Sequence, residues 1–512
     1  PRRIALFSGL KRREPLGANL LEELKRLWKH SIIYGFSNLL STAVGFVLLP
    51  LYTRFLTPAD YGIWDLLMVT MALVAVVLQM GLGSALFKVV LYDEQIDRRK
   101  LISTALYLLA GGSVIILIPL CVFAASISEL ILGSREHADL TRWIFISAYL
   151  NALIAIPLAK LRIYDESLKY GLVNISRFVV SMLLNIYFVA VLDMGVRGLV
   201  FANVLQSALF AVVLLALLGQ DLKPALSMTA TREMLRFGLP LVLTGVAGAV
   251  ITMSSRFFLR HFGTMHEVGL FGVGSRIAMI FALVVASFQL AWPSVLFSAA
   301  KREDAKIFFA TALTYCLFVF TFISLGLSVL ANEVVTILAG PEFQAAYKVV
   351  PLLVLAQVFM GAYFVTAVGT NLKKRTEYQA LATVAGAAVT IGLSFVLIPA
   401  HGMVGAALAT LAGHVVMAVI SCAASLWFYP VPYEWTRVAK IFAAALLLFA
   451  VGTRISTDRL LLDVFLKSLL VLTFPLVLFL GRFFSEKERR HARRISGMWW
   501  IRIRSRWQGA EE

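Results

Sequence analysis

Charge is scarce in this chain. Only 15% of its 512 residues are Asp, Glu, Lys or Arg, against roughly 25% in soluble proteins. Long polar stretches are also missing, and with them the surface that roughly three soluble domains of about 150 residues would need. Cysteine is nearly absent: Cys121, Cys316 and Cys422 lie in three different apolar runs. That excludes a disulfide framework and a cysteine metal cluster. No His-Glu-x-x-His motif, nucleophile elbow or paired-carboxylate motif occurs, so no enzymatic centre and no cofactor are expected. The first 30 residues carry basic side chains without a short apolar core and small-residue cleavage site, so no cleavable signal is expected there.

What fills the chain is apolar sequence, 60% of all residues, with a mean hydropathy of +0.84. A water-soluble fold cannot hide that much apolar surface, which makes this a polytopic membrane protein. A helix needs roughly 20 apolar residues to cross about 30 Å of hydrocarbon. About fourteen such runs are present. They lie near 31–52, 62–87, 101–127, 139–159, 170–192, 196–219, 237–259, 268–298, 307–330, 347–371, 378–399, 402–428, 437–453 and 460–481. Backbone in hydrocarbon must satisfy its own hydrogen bonds, and the runs are too long for barrel strands, so an all-α fold is expected.

The net charge of +18 would suit nucleic acid, but the basic residues sit between apolar runs and at both ends, as membrane orientation requires. With the amino terminus in the cytoplasm, the cytoplasmic segments hold 35 Lys and Arg and the opposite side 10, while Arg177 and Arg276 fall inside apolar runs. Both termini are therefore expected in the cytoplasm. The tail 482–512 sets Trp499, Trp500 and Trp507 among arginines, a composition suited to the anionic inner leaflet.

The sequence also repeats. Tyr61-Gly62 matches Val268-Gly269, and Phe188-Val189, Gly195 and Gly198 match Phe395-Val396, Gly402 and Gly405, all at an offset of 207. Gln79, Ser84, Leu86 and Phe87 match Gln289, Ser294, Leu296 and Phe297 at 210, and Gly35 matches Gly238 at 203. Two units with an even number of helices enter from the same side, so parallel repeats about the membrane normal are expected. The plan is a basic segment 1–30, a first lobe 31–219, a linker 220–236, a second lobe 237–428, a helix pair 437–481 and the tail 482–512.

The stretch Leu49-Pro50-Leu51-Tyr52-Thr53-Arg54-Phe55-Leu56-Thr57-Pro58-Ala59-Asp60-Tyr61-Gly62 closely resembles the first hairpin of the polysaccharide flippases. These are the O-antigen and exopolysaccharide lipid-precursor translocases of the multidrug/oligosaccharidyl-lipid/polysaccharide exporter superfamily. Arg236-Phe237-Gly238-Leu239-Pro240, with Ser255-Arg256-Phe257-Phe258-Leu259, resembles their seventh helix, and Gly402-Met403-Val404-Gly405-Ala406-Ala407 their twelfth. The resemblance implies translocation of an undecaprenyl-diphosphate-linked oligosaccharide between leaflets of a bacterial or archaeal cytoplasmic membrane. It implies membrane lipids as surroundings, protons or sodium as coupling ions, and other polysaccharide-assembly membrane proteins as neighbours. One position departs from the pattern: Ser255 stands where many relatives carry an acid.

An arginine at the bilayer centre costs roughly 2.5–3.5 kcal/mol on insertion scales, so each needs a reason. Arg177, Arg256 and Arg276 are expected to line a cationic cavity that binds a diphosphate through guanidinium groups. Arg54 and Arg260 fit a helix-end role equally well. Asp65, Glu233 and Glu377 are the candidate ion-coupling acids, although an acid in a first helical turn needs no further explanation. Asn38, Gln79, Asn174, Asn185, Asn203, Gln206, Gln289, Gln357 and Asn371 are expected mainly to bond between helices, at about 0.6 kcal/mol each. His414 is expected to pack rather than to switch. The rival function is a multidrug exporter of organic cations, which relies on an acid in helix one; Ser31 to Leu51 contains none.

Overall fold

The structure, a computed structural model, describes residues 45–92, 97–219, 222–223, 226–457 and 459–484. The basic amino-terminal segment, most of the first expected span and the tail from residue 485 lie outside the described residues. Two compact units divide the chain, Pro1–Met253 and Ser254–Glu512.

In the first unit the helices are α1 (Leu49–Phe55), α2 (Pro58–Leu78), α3 (Leu82–Tyr92), α4 (Arg98–Val122), α5 (Ala124–Leu132), α6 (Ala138–Ile163), α7 (Ser167–Asn185) and α8 (Gly195–Gly219). Helix α9 (Met228–Phe262) starts in the first unit and ends in the second. The second continues with α10 (Met265–Ala299), α11 (Ala305–Val329), α12 (Ala331–Leu338), α13 (Val350–Thr366), α14 (Val368–Leu372) and α15 (Glu377–Phe428), then α16 (Trp435–Gly452), α17 (Leu460–Leu472) and α18 (Phe474–Leu480). No strand occurs among the described residues.

Eleven described helices are long and apolar enough to cross a membrane. One of them, α15, has 52 residues, about 78 Å of helix and more than twice the hydrocarbon thickness. It is broken at Gly402, where φ is 54° and ψ −131°, so it supplies the two spans expected near 378–399 and 402–428. Helix α9 covers the span expected at 237–259. This is an all-α polytopic membrane protein.

The repeat is written into local geometry. Thr57 accepts a hydrogen bond from the Asp60 backbone N–H at 3.2 Å, and Asp60 accepts one from the Thr57 N–H at 3.3 Å. Thr264 and Glu267, 207 residues later, form the same reciprocal cap at 3.2 and 3.3 Å. Each cap satisfies donors that a helix start leaves open, and so fixes where α2 and α10 begin. The short helices α5 and α12 begin at Ala124 and Ala331, and Gly195 repeats the left-handed φ of Gly402 at 55°; both pairs keep the offset of 207.

The halves differ in the second span of each. The first unit interrupts its second helix at Met80 (φ 47°) and Gly81 (φ 65°), whereas α10 runs on through Trp292 and Pro293. At the break two backbones pack closely: a Cβ on Gly81 or on Gly238 of α9 would collide with main-chain atoms at the other's position. Close approach through small residues is how helices pack in lipid, where tails are as apolar as leucine. The two arms of α15 use it too, since a Cβ on Gly386 would meet the Gly413 carbonyl oxygen at 2.7 Å.

Candidate functional site

Helix α7 has two faces. Leu168, Leu172, Ile175, Val179 and Leu183 are exposed, and this apolar stripe suits hydrocarbon. The other face carries Tyr170, Asn174, Arg177, Ser181 and Asn185, spaced by three and four residues and so aligned along one side. All but Arg177 are buried, and Arg177 is half-buried. Two of their bonds are local: Asn174 donates to the Tyr170 carbonyl at 2.9 Å, and Asn185 to that of Ser181 at 2.7 Å. At the far end the Tyr52 hydroxyl of α1 donates to Asn185 Oδ1 at 3.1 Å.

Arg177 is tied into a network spanning three helices. Its Nη2 donates to Asn151 Oδ1 of α6 at 2.8 Å, and its carbonyl accepts from Gln206 Nε2 of α8 at 2.9 Å. Asn151 Nδ2 donates to the Ser147 carbonyl at 2.9 Å and to Ser207 Oγ at 2.7 Å. Ser147 and Asn203 close the ring through a hydrogen bond from Ser147 Oγ to Asn203 Oδ1, and Ser207 donates to the Asn203 carbonyl at 2.7 Å. Every partner is neutral. Among the described residues, no carboxylate lies within ion-pair distance of Arg177. An unneutralised guanidinium is what attracts an anion in a low-dielectric interior.

In the second unit Arg256 lies over the Phe271 ring, 5.6 Å from its centroid, and is half-buried, as are Arg260 and Arg276. Ser255, at the position where many relatives have an acid, shares a hydrogen bond of 3.1 Å with Thr410 Oγ1. His414 Nδ1 lies within hydrogen-bond distance, 2.8 Å, of the Thr410 carbonyl one turn earlier in its own helix. Arg54 is exposed on the last turn of α1. The three candidate coupling acids separate by burial. Asp65 is buried on α2. Glu233 is exposed, and so is Glu377, which pairs with Arg375 at 3.2 Å.

Some polar positions escape sequence reasoning. Asn151, Ser147 and Ser207 complete the Arg177 network, and the signal was present: Ser147/Asn151 and Asn203/Ser207 are spaced by four within apolar spans. Lys467 is buried on α17 and paired with Glu333 at 2.5 Å. Nothing in the sequence joins these two, which are 134 residues apart.

The fold is thus that of a multi-pass helical membrane protein with polar interiors in both units. The sequence pattern of the family described as polysaccharide biosynthesis protein matches residues 51–348, and the chain belongs to that family. Among solved structures, one described as the lipid II flippase MurJ in an inward closed conformation aligns with a TM-score of 0.68 at 17% identity, covering 89% of this chain and 99% of that one. An inward-facing multidrug resistance MATE family transporter of the MOP superfamily aligns at 0.63 and 15% identity, covering 81% and 96%. An outward-facing structure of a transporter of that family aligns at 0.55 and 15%, covering 80% and 96%. At such identities the likeness is one of fold. No curated protein matches the chain at a significant level.

Proposed function

We propose that this protein is a flippase that moves an undecaprenyl-diphosphate-linked oligosaccharide from the inner to the outer leaflet of the cytoplasmic membrane. It works by alternating access, breaks no covalent bond, and keeps both termini in the cytoplasm. The observation that carries the reading is Arg177, held inside the first unit by neutral partners alone. A diphosphate supplies the negative charge that such a site lacks, and guanidinium can bind its oxygens in pairs. Arg256 and Arg276 supply the same chemistry from the second unit. Family membership supports a role in polysaccharide assembly. Coupling to protons or sodium falls to Asp65, since Glu233 and Glu377 are solvated like ordinary helix-start acids.

The shared fold with MATE transporters keeps organic-cation export as the second reading. The sign of the charge opposes it, because a fixed guanidinium repels a cation. The test is translocation in proteoliposomes of a fluorescent undecaprenyl-diphosphate oligosaccharide, beside efflux of ethidium. Flipping of the diphosphate lipid without ethidium transport is expected. It should fall at least about tenfold in Arg177→Gln, for loss of a charge-assisted contact of about 1.5–3 kcal/mol. Wild-type flipping in R177Q, R256Q, R276Q and the triple variant would overturn the electrostatic reading.

A further inference from the structure

The side chain that meets Arg177 is an amide, although an acid of the same shape would bind guanidinium more strongly. We propose that Asn151 is a positioning residue whose neutrality leaves the charge of Arg177 uncompensated for an anionic diphosphate headgroup. The inference rests on the function proposed above and names the residue on which that charge depends.

Three observations carry it. First, the amide's orientation is dictated rather than free. Asn151 Nδ2 is committed to the Ser147 carbonyl and to Ser207 Oγ at 2.9 and 2.7 Å, so Oδ1 must face the guanidinium. Second, the arginine is held at both ends. Gln206 donates to its backbone carbonyl at 2.9 Å, and Asn151 fixes Nη2 at 2.8 Å; the second bond restricts a long side chain that would otherwise lose rotamer freedom on binding. Third, the clamp takes little of the arginine's capacity. Guanidinium has five N–H donors, and among the described residues Arg177 donates one side-chain hydrogen bond. The half-buried head keeps its remaining donors for a ligand that accepts through more than one oxygen.

A packing role makes a different demand. If Arg177 and Asn151 only joined α6 to α7, an acid at 151 would keep the 2.8 Å contact and add charge attraction but give up the two hydrogen bonds that Nδ2 donates, a change that would touch diphosphate and undecaprenol binding alike. Only a role in keeping the positive charge available makes the preference for the diphosphate depend on the amide.

Asn151→Asp separates the two roles. Wild type, N151D and R177Q are purified into phosphatidylcholine nanodiscs, and the affinities for undecaprenyl diphosphate and for uncharged undecaprenol are measured. Wild type is expected to prefer the diphosphate. N151D should fold and bind undecaprenol within about twofold of wild type. Its preference for the diphosphate should fall at least about tenfold, since the new carboxylate neutralises the guanidinium from within. Wild-type preference in N151D together with loss in R177Q would overturn the positioning role and leave the proposed function standing. Wild-type preference in R177Q would overturn both. If N151D is not recovered folded, Asn151→Leu gives the answer. It keeps the charge but removes the clamp, so the diphosphate preference should persist while its affinity falls about threefold to tenfold. Unchanged diphosphate affinity in N151L would overturn the positioning role.

Discussion

Lys467 of α17 donates a hydrogen bond to Glu333 of α12 across 2.5 Å, with 7% and 2% of the two side chains exposed. The pair fastens α17 to α12 within the second unit. One turn earlier Asp463, also buried, accepts from the Thr457 N–H at 2.7 Å and from its hydroxyl at 2.8 Å, which closes the turn that leads into α17. Removing one member of a buried pair strands the other, whereas removing both strands neither. Lys467→Met or Glu333→Gln alone is expected to cost about 3–5 kcal/mol, and the double variant far less than their sum. Unfolding in detergent across the double-mutant cycle measures this. Strictly additive losses would mean that the pair does not act as a unit.

The two left-handed glycines should respond unequally to alanine. At Gly195 a Cβ would meet nothing within 4 Å, whereas at Gly402 it would run into the Glu267 carboxylate. Gly195→Ala therefore pays only the left-handed backbone cost, about 1–2 kcal/mol. Gly402→Ala adds a clash with a side chain already engaged in the α10 cap, so its loss of thermal stability should be the larger. Equal losses would show that Glu267 yields freely.

Thr57→Ala and Thr264→Ala each remove the side-chain half of a reciprocal cap. Each should cost about 1 kcal/mol, and Ser at either position should restore most of it. The check is the thermal midpoint of the two variants beside their Ser counterparts. An unchanged midpoint in both Ala variants would show that the loops, not the caps, set these helix starts.

Asp97 straps the segment after α8 to the start of α4. It accepts from Lys223 Nζ at 2.5 Å and from the backbone N–H groups of Arg99 and Lys100 at 3.1 and 3.4 Å. The lysine hydrogen bond chiefly holds its pKa below the ordinary 3.8. A depressed carboxylate contributes its stability above the unfolded value and loses it as pH falls through the folded one. The strap should therefore hold at pH 5 and loosen below about pH 3.8. Hydrogen exchange corrected for intrinsic rates should show it at the Lys223 and Ser227 N–H groups, which donate to Ser103 and Thr104 at 2.9 and 3.1 Å. Asp97→Asn should remove the pH dependence.

Much of this molecule could be read from residue order. Apolar runs near the length of the hydrocarbon became helices because no other backbone arrangement satisfies itself in lipid. Gly195 and Gly402 announced matching breaks, and the repeat at 207 residues reappeared as two reciprocal caps, since caps and left-handed turns depend on a few neighbouring residues. Arg177 was identifiable as a charge needing a reason, because its cost depends on depth, which counting along the helix supplies.

Partnership was another matter. Lys467 and Glu333 lie 134 residues apart, and only packing brings them together. Asp65, Glu233 and Glu377 looked alike as helix-start acids until burial separated the first from the others. The neutral ring of Asn151, Ser147, Asn203 and Ser207 was visible as spaced polar residues, but not as a clamp on Arg177. Local order determines helices, caps and breaks, because those depend on interactions within about four residues. Which charge is neutralised, and by what, was decided by tertiary structure, because it depends on side chains that meet only when helices distant in sequence pack together.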